Sequence, residues 1–274
     1  MVFHDSVKDL KQMLPNRLLN AACLLALAIS LRSSLKAQGA TSALPDAPQP
    51  GAAAPAPVTL AHAPVDILKE QGAIWSSPIH IRDRNLALLI PLTLATTVAV
   101  TTDHEAMSSS KLNDPSLNSH ADTASNGLLG GLVVAPVAIY GVGFLHHDEH
   151  ATETGILAGE AMVNSLVVDE VLKAVTMRER PTLDGAKGKF FQKSVGLDSS
   201  FPSTHSIIAW SSATVIASEY PSPLVAISAY TLATGVSMTR VLSRQHFPSD
   251  VLVGSAVGWM VGRYVFHRHH RDLD

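Results

Sequence analysis

The chain has 274 residues, 46% of them hydrophobic and 16% charged, with a formal net charge of −3. That length supports one or two domains with a sizeable core. The single cysteine, Cys23, excludes an intrachain disulfide and a cysteine-built metal site, while the near-balanced charge and 5% aromatic content leave no footprint for nucleic acid.

The first element is an apolar run from Leu18 to Leu31, preceded by Lys11 and Arg17. It has the length of a signal-peptide core and is short for a membrane span; Ala37-Gln38-Gly39 offers a cleavage site. Residues 1–39 are therefore expected to be a signal peptide or an uncleaved N-terminal anchor. Residues 40–64 are rich in Ala and Pro, cannot bury apolar surface, and read as a disordered or extended linker. Residues 65–84 place Ile67, Leu68, Ile74, Trp75, Ile79 and Ile81 among polar neighbours, the pattern of an amphipathic segment lying on the core or on a membrane surface.

Six apolar stretches follow, at about 85–102, 127–145, 154–177, 205–219, 222–242 and 251–266. Each is rich in Ala, Leu, Val and Gly, and none alternates as a strand does. The predicted fold is all-α, a single bundle with a six-helix core over 85–266 and a polar tail at 267–274. The connections 103–123 and 181–202 are long and polar, and long connections in compact domains are often functional. His146, His147, Asp148 and His150 read as a polar helix connection rather than a metal site. Glu160, Asp169 and Glu170 interrupt the third stretch, and His267, Arg268, His269 and His270 carry no specific reading.

Three short motifs carry chemistry. Lys173 and Arg180 are seven residues apart, two turns on one helix face, with Pro181 ending the helix; two such cations suit an anion with several oxygens. Pro202-Ser203-Thr204-His205 opens an apolar stretch with Ser203 at the N-cap, where free amides and the helix dipole favour an anion. In Arg240-x5-His246-x3-Asp250, Pro248 keeps His246 in a turn. Asp250 is close enough in sequence to take a hydrogen bond from one imidazole nitrogen and leave the other free to attack. Separately these are an ordinary basic helix end, a cap and a surface pair. Together they fall at the ends of successive helices and supply what phosphoryl transfer requires: cations, a nucleophile and an acid.

The combination resembles the signature motifs of the type 2 phosphatidic acid phosphatase (PAP2) and vanadium haloperoxidase superfamily. The resemblance implies His246 as nucleophile, through a phosphohistidine intermediate, Asp250 orienting it, and His205 protonating the leaving group. It implies phosphate contacts from Lys173, Arg180, Ser203, Thr204 and Arg240, with no metal and no other cofactor. Thr204 stands where the family usually has Gly, and Thr239 where it usually has Ser.

The expected activity is a phosphatase for phosphomonoesters or diphosphates, acting on lipid phosphates such as phosphatidate or a polyprenyl diphosphate. A vanadate-dependent haloperoxidase and a non-catalytic phosphate- or lipid-binding bundle are the alternatives. Arg82, Arg84, Arg263, Arg268 and Arg271 gather on one side of the predicted bundle, which places the motif side outward if the helices span a membrane. An exported N-terminus followed by six spans would put the motifs on the opposite side. Two locations in the cell envelope thus stay open: membrane-associated with a periplasm-facing site, and soluble periplasmic.

Overall fold

The computed structural model describes residues 58–109 and 112–270. The predicted leader and most of the predicted linker lie outside the described residues. Among the described residues there are seven α-helices and no strands: α1 (Ala63–Ser76), α2 (Asp83–Met107), α3 (Pro115–His146), α4 (Glu149–Thr176), α5 (Thr204–Glu219), α6 (Pro223–Leu242) and α7 (Pro248–His269). The amphipathic segment is α1 plus a 3-10 turn, Ser77–His80, which together leave Leu68, Ile79 and Ile81 exposed.

Two of the expected connections differ. Most of 103–123 is helical, because Asp114 caps α3 by accepting from the Ser116 and Leu117 amides, with Pro115 preset at the first helical position. Helix α4 stops at Thr176, four residues before Arg180. Met177 turns left-handed (φ 40°) and caps the helix through its amide to the Lys173 carbonyl. Lys173 and Arg180 therefore do not share a helix face; they reach one region through a turn. The His-rich connection is a tight hinge, with His147 left-handed (φ 56°) and Asp148 capping α4, which sets α3 and α4 antiparallel.

Helix α5 is the axis of the bundle. One side packs Ala209 and Ala213 with Leu132 of α3 and Ala229, Ala233 and Val236 of α6. Its other side packs Val215 with Leu157 and Ala161 of α4 and Val261 and Val265 of α7. The crossing of α5 and α7 is unusually close because Gly254, Gly258 and Gly262 recur every four residues on one face of α7. A Cβ at Gly258 would lie 2.2 Å from the Ile207 carbonyl oxygen, and one at Gly262 2.5 Å from that of Ser211. Only glycine permits this approach, and the approach brings the first turns of α5 and α7 together.

Helices α2, α3 and α6 are long and apolar enough to cross a membrane. On α2 the residues Leu88, Ile90, Leu94 and Val98 are exposed.

Candidate active site

The C-terminal ends of α4 and α6 and the N-terminal ends of α5 and α7 meet at one end of the bundle, where all eight motif side chains are found. Arg240, in the last turn of α6, is buried and donates from Nη1 to Asp122 of α3 at 2.8 Å. Its Nε has no partner. Arg180 is the more exposed cation. It is held by Asp198, at 2.8 Å from Nη2, and by the Gln245 carbonyl, at 3.2 Å from Nη1. Lys173 is buried, 3.2 Å from Asp169 one turn earlier on α4, and it also donates to the Thr204 hydroxyl. Thr204 in turn donates to Asp169 at 2.7 Å. The side chain that departs from the family pattern is thus a bridge between the motif lysine and a buried carboxylate.

Ser203 is the N-cap residue of α5, yet its hydroxyl makes no cap hydrogen bond. The residue is fully buried and Oγ has no partner. A buried hydroxyl left unpaired costs about 1–3 kcal/mol, and Ser203 Oγ and Arg240 Nε are two such unpaired buried donors at this end of the bundle.

His246 is almost wholly buried in the turn before α7. Its Nδ1 lies 2.7 Å from the Ser200 carbonyl oxygen and 3.8 Å from Asp250 Oδ2. The hydrogen bond expected to Asp250 therefore goes to Ser200 instead. The consequence for the ring is the same, because a carbonyl can only accept: Nδ1 carries the proton and Nε2 keeps its lone pair. Burial and then the charges of Arg240 and Arg180 hold His246 well below the ordinary histidine range. His205, whose Nε2 lies 3.0 Å from Asn126 Oδ1, is lowered to about 4 by burial, then by Arg240 and His246.

Asp250 faces a different partner, Arg178. This arginine is buried, and its Nη1 donates to Asp250 Oδ1 at 2.5 Å and to Ser249 Oγ at 2.7 Å, while Nη2 donates to Asp103 of α2 at 2.7 Å. Its guanidinium lies between the Phe190 and Phe247 rings, 4.6 and 4.2 Å from their centroids. Asp250 Oδ2 accepts from the Phe247 amide at 2.8 Å, which closes the turn that carries His246. Burial pushes the Asp250 carboxyl up to about 6, with Arg178 opposing the rise. Neither Arg178 nor Asp103 belongs to any of the three sequence motifs. They lie 75 residues apart, so no local pattern joins them.

Beside this end of the bundle runs an apolar groove of about 500 Å³ between α2 and α7, lined by Leu92, Thr96, Val100, Phe201 and Val253. Phe201 is two residues from Ser203, so the groove ends near the buried hydroxyl.

The family model of the PAP2 superfamily matches residues 154–274, the segment that contains all three motifs. A lipid A 1-phosphatase from Porphyromonas gingivalis is 40% identical over 65 residues, which is 23% of this chain and 15% of that protein's length. Among solved structures, a transmembrane PAP2-type phosphatidylglycerolphosphate phosphatase from Bacillus subtilis is similar at a TM-score of 0.44, with 22% identity, over 77% of this chain and 97% of that one. Over residues 154–274 the chain is thus similar to the PAP2 superfamily.

Proposed function

We propose that the protein is a membrane-associated phosphoric ester hydrolase that removes phosphate from lipid phosphates through a phosphohistidine at His246. The observation that carries this reading is His246 itself: a buried imidazole with Nδ1–H committed to the Ser200 carbonyl, kept neutral by burial and by Arg240 and Arg180. A neutral ring whose Nε2 is unprotonated amid cations is an activated nucleophile.

In this reading Lys173, Arg180 and Arg240 hold the non-bridging phosphate oxygens, and Ser203 Oγ and Arg240 Nε fill their missing hydrogen bonds on them. The Thr204 amide, at the N-terminus of α5, adds a backbone donor. Nε2 of His246 attacks phosphorus, the bond to the leaving oxygen breaks, and His205 gives that oxygen its proton. Water then attacks the phosphohistidine as His205 takes back a proton, releasing inorganic phosphate. Bound phosphate offsets the Arg240 and Lys173 charges that help depress His205, which lets that ring hold a proton when the acid is needed. Asp250 acts through the turn, holding the Phe247 amide in place rather than pairing with His246.

Three features support a lipid substrate and a membrane setting. The groove beside Phe201 is apolar, α2 exposes an apolar face, and three helices are long enough to span. Arg82 and Arg84 precede or open α2, and Arg263 and Arg268 lie in the C-terminal half of α7, all at the end away from the motifs. That distribution favours an outward-facing, periplasmic site.

The test is phosphate release from phosphatidate, a polyprenyl diphosphate and a soluble chromogenic monoester by the detergent-solubilised protein and its His246→Ala variant. The expected result is turnover that prefers the lipids and disappears in the variant, with a labelled phosphohistidine trapped by acid-free quenching of the parent. Phosphate binding without turnover would leave a binding protein, and halide oxidation dependent on vanadate and peroxide would identify a haloperoxidase.

A further inference from the structure

The opposite end of the bundle holds a second buried polar cluster that the phosphatase reading does not use. Glu70 of α1, Glu160 of α4 and His269 of α7 converge there, offering ligand atoms that lie within 4.8 Å of one another. Glu160 is 13 residues before Lys173 on α4, so at about 1.5 Å per residue the cluster lies ~20 Å from the phosphate site.

Glu160 is 2% exposed, and neither of its carboxylate oxygens has a hydrogen-bond partner. Two buried carboxylate oxygens without a hydrogen bond, with only His269 Nε2 at 3.5 Å from one of them, are expensive unless something positive sits between them and their neighbours. Glu70 is equally buried and is oriented from behind, its Oε2 accepting from Asn164 Nδ2 at 2.6 Å. Asn164 is itself fixed by Gln71, whose Nε2 donates to Asn164 Oδ1 at 2.8 Å. Support of this kind, behind a carboxylate rather than in front of it, is how ligating groups are held. Arg268 Nε stands 3.9 Å from Glu70 Oε1, too far to hydrogen-bond.

The spacings match a metal polyhedron. Nε2 of His269 hydrogen-bonds to Glu70 Oε1 at 3.3 Å and lies 3.5 Å from Glu160 Oε2, so an ion there takes the place of the imidazole proton. Ligands on a tetrahedral ion at bonds of about 2.1 Å are separated by ~3.4 Å. Two carboxylates and one imidazole make a borderline donor set, suited to Zn²⁺ or Mn²⁺ rather than to Ca²⁺, which prefers six to eight oxygens.

We infer that Glu70, Glu160 and His269 form a divalent transition-metal site, with Zn²⁺ as the best-fitting ion and a fourth position left for water. Its role is structural. The three ligands come from α1, α4 and α7, so the ion clasps the amphipathic helix to the bundle at the end remote from the chemistry. This claim does not depend on the proposed activity.

The experiment uses the full chain without a polyhistidine tag, stripped with EDTA, dialysed and titrated with Zn²⁺ in competition with a chromogenic chelator. One Zn²⁺ per chain is expected, together with a rise in melting temperature that grows with free Zn²⁺. Co²⁺ in its place should show the visible absorption of a tetrahedral N/O site. Glu160→Gln and His269→Gln should each weaken Zn²⁺ binding at least about tenfold, whereas His147→Ala, in the exposed hinge, should not. Glu160→Gln removes a buried charge, so the stripped variant should melt no lower than the stripped parent, which shows that it folds. Absence of binding at sub-millimolar Zn²⁺, or undiminished binding in either glutamine variant, would overturn the site.

Discussion

Arg178 offers the sharpest test of how the site is held together. Replacing it with Met keeps a similar stem but removes the cation that, among the described residues, pairs with both Asp103 and Asp250. Two buried carboxylates would then face each other without compensation. Removing one partner of a buried ion pair typically costs about 3–5 kcal/mol. Loss of the stacking on Phe190 and Phe247 adds about 1 kcal/mol or more. For a bundle of this size each kcal/mol shifts the melting point by ~2–4 °C, so a fall of roughly 10 °C is expected in detergent.

The mechanism of the loss is separable. Asp103→Asn leaves Arg178 and Asp250 as a one-to-one pair and should be mild. Arg178→Met should then cost less in the Asp103→Asn background than in the parent, a coupling measurable by a double-mutant cycle. Since Arg178 makes no contact with the proposed phosphate position, it is a positioning residue. Arg178→Met should lower kcat by distorting the turn of His246 while leaving inhibition by inorganic phosphate nearly unchanged. Arg178→Lys should rescue little, because a point charge cannot bridge two carboxylates as the planar fork does. A melting point within 2 °C of the parent in Arg178→Met, or no coupling to Asp103, would refute the account.

Ser203→Ala removes a buried hydroxyl that has no partner in the free protein, so it should raise the melting point by a few degrees rather than lower it. It should weaken inhibition by phosphate about 10- to 100-fold, the worth of a hydrogen bond to a charged group. His205 is held at about 4 in the fold and near 6.5 in the unfolded chain, so the unfolded state takes the proton first. Its contribution to stability is full above pH 6.5 and declines as the pH falls toward 4. Thermal melts across that range should show the parent losing stability relative to His205→Gln. The loss should be somewhat below the ~1.4 kcal/mol per pH unit of a fully desolvated group, because part of the ring keeps its solvent. Gly258→Ala should cost several kcal/mol, since its Cβ would meet the Ile207 carbonyl, while Gly159→Ala, with nothing within 4 Å, should be neutral or stabilising; equal melting points for the two would contradict the close α5–α7 crossing.

Much of the helical layout could be read from local pattern. The apolar stretches at 205–219 and 222–242 differ from α5 and α6 by a residue at most, because Ser203 and Pro223 mark their starts. Other ends were hidden: α3 begins at Pro115, within a run too polar to look buried, and α4 ends at Thr176 with a left-handed Met177 that no glycine announces. The residue types at the motif positions were likewise visible, and the fold brings those positions to one end of the bundle.

What the sequence determined by itself was the chemistry available: which side chains can hold an oxyanion, and where the helices that carry them start. Partnership was decided only in three dimensions, because hydrogen bonding depends on distances of a few tenths of an ångström between segments far apart in the chain. Thus His246 bonds to the Ser200 carbonyl and not to Asp250, Asp250 bonds to Arg178, and Thr204 joins Lys173 to Asp169. His269 and His270 of the apparent polar tail, which carried no specific reading in the sequence, find Glu70, Glu160 and Glu219 across the bundle. Burial of those carboxylates is a property of helix packing, and no single helix encodes it.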